Sequence, residues 1–143
     1  MSKTLKRGYI ALCVITILNF IYDNYTVIAR THIGMNASGL LRTVSKFLVS
    51  LDGPLLILSV FLPVIVSIIV SVIVFVFYRK SLTKPTAVLA TFGFIPYLLF
   101  NISNFGLGAM TIIALGIIKI VYAIIMIVFM LKDIKKLSVE EDS

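Results

Sequence analysis

Two residues carry a charge where their neighbours in the chain offer no water. Lys119 lies inside the apolar run 108–131, and Asp23 lies inside the apolar run 8–29. A charged side chain in hydrocarbon costs about 2.5–3.5 kcal/mol on insertion scales unless it is compensated. At 1.5 Å per residue, Lys119 is about 16 Å into its run and Asp23 about 22 Å into its own. If the two runs enter a bilayer from opposite sides, the depths differ by about 8 Å, much of which a flexible lysine stem covers. The two are therefore expected to pair, directly or through Asn19, Asn101 or a water. Such a pair can pin a fold or handle a proton or solute; the alternatives are that Lys119 meets a partner protein or that Asp23 is simply an interfacial residue.

The remaining polar residues of the apolar runs fall on single helical faces, because their spacings are three and four. In the first run these are Thr16, Asn19, Asp23 and Thr26, and in the second Ser59, Pro63, Ser67 and Ser71. The third aligns Ala90, Gly93, Tyr97, Asn101 and Asn104. The fourth aligns Gly116, Lys119 and Ala123, with Ala109 a heptad before Gly116. Small residues let helix backbones approach, and polar ones hydrogen-bond between helices. Each run thus has one small or polar stripe and a broad apolar remainder, the pattern of a packed bundle or of a polar seam. Pro63 and Pro96 sit inside runs, where each removes a backbone donor and kinks its helix. Broken helices flank binding sites in transporters.

The elements that carry these stripes follow from composition. The chain has 143 residues, 60% of them hydrophobic and 13% charged. A soluble domain is about 45–50% apolar and about 25% charged, and a small one cannot hide this much apolar surface. About 20 apolar residues cross a hydrocarbon core, and four runs qualify: 8–29, 54–78, 85–103 and 108–131. Each is expected to be helical throughout, since lipid offers no partner for a bare backbone group. The expected fold is an all-α integral membrane protein, a single four-helix bundle spanning residues 1–137.

Charge sets the orientation. Lys3, Lys6 and Arg7 precede the first run, Arg79, Lys80 and Lys84 join the second to the third, and Lys132, Lys135 and Lys136 follow the fourth. Nine of the 13 basic residues thus fall on one side. The other side has Arg30, Arg42 and Lys46, and the short 104–107 turn has none. The positive-inside rule then puts both termini in the cytoplasm. The N-terminal charges followed by an apolar stretch resemble a signal peptide, but the stretch is too long and lacks a clear small-x-small site.

The first external loop has its own periodicity. Leu40, Leu41, Val44, Phe47, Leu48 and Leu51 trace one face of a helix over about 39–51, with Ser38 as its N-cap. This predicts an amphipathic helix on the outer membrane surface. Residues 138–143, with Glu140, Glu141 and Asp142, are expected to be a disordered acidic tail.

Several chemistries are not expected. Cys13 is the one cysteine and His32 the one histidine, so no metal-ligand spacing exists. There is no glycine-rich phosphate loop, no nucleophile elbow, no HExxH and no pair of carboxylates on one face. No enzyme activity, cofactor or metal is expected. The basic residues flank apolar runs, where they read as topology signals and contacts to anionic lipid rather than to nucleic acid.

The layout, small, basic, polytopic and cytoplasmic-ended, resembles that of some immunity proteins that protect bacteria from pore-forming bacteriocins. The resemblance covers architecture, with no shared motif. It implies a bacterial inner-membrane protein that binds a membrane-inserting toxin or another membrane protein helix against helix, as an immunity protein or accessory subunit. Ile- and Lys-rich composition also fits a bacterium. Two other classes fit the same layout: a small oligomeric transporter or channel using an Asp23/Lys119 seam, and a holin-like permeabilising protein.

Overall fold

A computed structural model of the chain describes residues 3–29, 39, 42–43, 46–47, 50, 53–103 and 108–142. Among the described residues the chain is all-helical, with no strand. Helix α1 is Lys3–Ala29 and α2 is Gly53–Ile73, which runs on into a wider π turn at Val74–Tyr78. Helix α3 is Lys84–Thr91, α4 is Phe94–Ser103 and α5 is Ala109–Asp142. Four stretches are long and apolar enough to cross a membrane: Lys3–Ile28, Gly53–Tyr78, Lys84–Ser103 and Met110–Lys135. They coincide with the four apolar runs.

The bundle is sorted in the opposite sense to a soluble protein. In α1, Thr16, Asn19, Asp23 and Thr26 are buried while Val14, Leu18 and Ile21 are more than half or nearly half exposed. In α5, Lys119 is buried while Ile117, Ile118 and Val121 face outward. Polar groups turn inward because only the other helices offer them partners.

Tyrosines tie one end of the bundle together. Tyr9 Oη donates to the Met130 carbonyl over 3.0 Å, and Tyr78 Oη donates to the Leu5 carbonyl over 2.7 Å. The two rings pack at 5.5 Å. Leu12, Cys13, Val70, Val74, Leu82, Ala90 and Met126 complete the apolar core around them. These contacts bring to one end the chain segments that carry Lys3–Arg7, Arg79–Lys84 and Lys132–Lys136.

Two elements differ from the sequence reading. The third run is not one helix: α3 ends at Thr91 and α4 begins at Phe94, with Phe92 and Gly93 as a turn between them. The cause is Pro96, which has no N–H to offer the Phe92 carbonyl; Ile95 N donates there instead, over 3.1 Å. The last helix does not stop before an acidic tail but continues through Ser138 to Asp142. No glycine or proline follows Gly116, so nothing in the sequence stops the helix. The expected amphipathic helix falls mostly outside the described residues, with Leu40, Leu41, Val44, Leu48 and Leu51 among them. Of its apolar face only Phe47 is described, and it is exposed. The 104–107 turn also lies outside the described residues.

Candidate functional site

The interior polar seam is built one helix at a time. Helix α1 contributes Asp23 and Asn19, one turn apart on its buried face. Helix α5 contributes Lys119, which is 2% exposed. Lys119 Nζ lies 2.5 Å from Asp23 Oδ2, so the two charges separated by 96 positions in the chain meet inside the bundle. The ammonium also lies 3.8 Å from the centre of the Phe100 ring of α4 and 6.0 Å from that of Tyr97. A cation over an aromatic face gains about 2 kcal/mol when desolvated. Gly116, one turn before Lys119, makes this possible: a Cβ there would lie 3.2 Å from Phe100 Cε2 and press on the ring. Asn101, one turn beyond Tyr97, is buried on the same face of α4.

At Pro63 and at the α3–α4 break, side chains from other helices bond to backbone carbonyls. Pro63 leaves the Ser59 carbonyl without its intrahelical donor; Tyr22 Oη of α1 donates there over 3.3 Å. Asn19 Nδ2 donates to the carbonyl of Pro63 itself, over 3.2 Å. At the α3–α4 break, Gly93 N turns back to Ala90 O, which leaves the Leu89 carbonyl to Tyr122 Oη of α5 at 2.7 Å. Ser71 Oγ of α2 donates to Ala90 O over 3.1 Å. Gly93 is required at the break by space, since a Cβ there would lie 2.6 Å from Met126 Sδ.

The sites read from the sequence therefore separate by role. Asp23, Lys119, Asn19 and Tyr97 come together, with Asn101 on the same face. Pro63, Ser67, Ser71, Gly93 and Ala123 are buried between helices, and Ser59 and Gly116 are half-buried.

No protein-family model, curated protein or solved structure matches this chain. The geometry alone therefore speaks for its chemistry. Among the described residues no three His, Cys, Asp or Glu side chains stand close enough to hold a metal.

A second polar cluster escaped the sequence reading. Asp133 of α5 is 5% exposed and accepts from Thr83 N at 2.9 Å and from Thr83 Oγ1 at 3.0 Å. Thr83 is the N-cap of α3 and makes no cap with its own side chain. Asp133 instead takes up the N–H of the N-cap residue itself from another helix, as the acid of a capping box does, and its charge meets the positive end of the α3 dipole. Thr86 Oγ1 lies 2.9 Å from Thr83 Oγ1 and donates to Phe129 O at 3.4 Å. The signal was present in the spacing. Lys119, Ala123, Met126, Met130 and Asp133 continue one face of α5 at intervals of four and three.

Proposed function

We propose that the chain is a multi-pass protein of a bacterial inner membrane, with both termini in the cytoplasm, and that it binds another membrane protein or a membrane-inserting toxin helix against helix. The inversion of the bundle, polar within and apolar without, supports membrane insertion, because a monomer in water does not sustain apolar patches of this extent. The distribution of basic residues supports the orientation. The basic ends then lie at the inner leaflet, where anionic headgroups attract them.

One observation carries the binding reading: the apolar outer surface is grooved. A cleft of about 400 Å³ opens between α2 and the α3–α4 break, lined by Ile68, Ser71, Val72, Phe75, Thr91, Phe92 and Phe94. A second apolar groove lies beside Pro63, between Leu18 and Tyr22 of α1 and Leu62 and Val66 of α2. In lipid, helices associate by van der Waals packing, and concave apolar surfaces are where a knob from another helix packs. A photoreactive residue at Phe92, crosslinked in native membranes, is expected to give one dominant protein adduct. A control at Val121, on the exposed face of α5 and outside both grooves, is expected to give lipid adducts only. Lipid adducts alone from both positions would refute the reading.

A small transporter is the second reading, and the α3–α4 break beside the Asp23–Lys119 seam favours it. Its test is solute flux in liposomes that depends on Asp23 and Lys119.

A further inference from the structure

At the α3–α4 break a small cavity lies among the helices, with about 10 Å³ open to the centre of a water molecule. Its polar lining is Thr16 and Asn19 from α1, Ser67 and Ser71 from α2, and Tyr97 from α4. We propose that this void is the binding site of one water molecule, held by Tyr97 and by the hydroxyl oxygens of α1 and α2.

The donor and acceptor balance decides the ligand. A serine or threonine hydroxyl has one proton to give. Thr16 gives its proton to Leu12 O at 2.7 Å, Ser67 to Val64 O at 2.8 Å and Ser71 to Ala90 O at 3.1 Å. What these three hydroxyls have left is acceptor lone pairs. Asn19 spends one of its two N–H groups on Pro63 O and keeps the other and its carbonyl oxygen. The three hydroxyl oxygens therefore call for a donor. Tyr97 Oη is buried, its residue 2% exposed, and it has no hydrogen-bond partner among the described residues. A buried hydroxyl without a partner is rare, and its usual resolution is an ordered water. A water that accepts from Tyr97 and donates to two of the hydroxyl oxygens satisfies Tyr97 and uses both of its own protons.

Size and charge agree. The space is enough for a water molecule and on the scale of a small ligand only. A cation could take the hydroxyl lone pairs but could not accept the proton of Tyr97 Oη. The water joins Tyr97 of α4 to α1 and α2 where the backbone of the third run is interrupted, and so replaces contacts that the break gives up. The site stands whether or not the outer surface binds a partner.

Thermal unfolding of purified Tyr97→Phe in detergent tests this by its sign. A bound water loses a donor, and Tm falls by about 3 °C, the scale of one buried hydrogen bond in a chain of this length. An empty void predicts the reverse, a rise in Tm, since Tyr97→Phe would then remove an unsatisfied hydroxyl. Ser67→Ala supplies the second arm. Tyr97 and Ser67 share no direct bond, so a shared water makes the double variant fall by less than the sum of the singles, and strict additivity contradicts it. A Tm that rises in sodium or ammonium chloride, against choline chloride at equal ionic strength, would replace the water with a cation and overturn the proposal. A structure of the wild-type protein that shows ordered solvent is expected to hold density within about 3.2 Å of Tyr97 Oη; empty space there also overturns it.

Discussion

Tyr122 Oη donates to the Leu89 carbonyl over 2.7 Å, at the point where the third apolar run leaves its helix. The bond crosses from α5 to α3 and takes up an acceptor that the break has freed. Tyr122→Phe keeps the ring and deletes only that donor. It is expected to lower stability by about 1–3 kcal/mol, the penalty of an unsatisfied buried carbonyl. Tyr22→Phe, which removes the longer 3.3 Å bond to Ser59 O, is expected to lose less. Thermal unfolding of the two variants checks the order.

Gly8 faces Tyr78 so closely that a Cβ would lie 2.6 Å from its hydroxyl oxygen, and that hydroxyl is held by Leu5 O. Gly8→Ala must therefore break the bond or push the helices apart, at about 1–2 kcal/mol. Gly108 has nothing within 4 Å of the same added atom. Gly108→Ala is expected to leave the melting temperature unchanged, and the contrast separates sterics from any general effect of replacing glycine.

Asp133 caps α3 from another helix, so its loss uncovers the Thr83 backbone N–H. Asp133→Ala is expected to destabilise by about 1–2 kcal/mol, as lost N-caps do. Asp133→Asn keeps an acceptor and is expected to retain part of the stability. Equal losses in the two variants, read by denaturation in detergent, would show that charge and not the hydrogen bonds matters there.

Orientation is open to chemical labelling because Cys13 is buried at 3% exposure and stays unreactive in the folded protein. In a Cys13→Ser background, Thr31→Cys is expected to react with an impermeant maleimide on intact cells. Ser81→Cys is expected to react only after permeabilisation. The reverse pattern would invert the topology.

The bundle was readable because each polar residue in an apolar run must turn toward other helices, and spacings of three and four announce which face does so. Thr16, Asn19 and Asp23 could be placed inward from their numbers alone. The pairing of Asp23 with Lys119 was readable for the same reason: two charges in hydrocarbon have few other solutions. The α3–α4 break was not readable as a break. Pro96 signalled a kink, but whether the chain bends or unwinds depends on which outside donors reach the freed carbonyls, and Ser71 and Tyr122 belong to other helices. Asp133 was missed because it lies two residues past the expected end of the fourth run, among lysines that suggested water. The extension of α5 to Asp142 was missed because a cluster of acids reads as a tail, although no residue there stops a helix.

Membrane accumulation of the Asp23 and Lys119 variants tests most directly whether the four helices close around one buried ion pair. Asp23→Asn and Lys119→Met each leave a buried charge alone, which costs about 3–5 kcal/mol, and each is expected to lower the amount of folded protein recovered from membranes. The combined variant leaves neither charge and is expected to recover most of that loss. A double variant no better than the worse single would contradict the pairing.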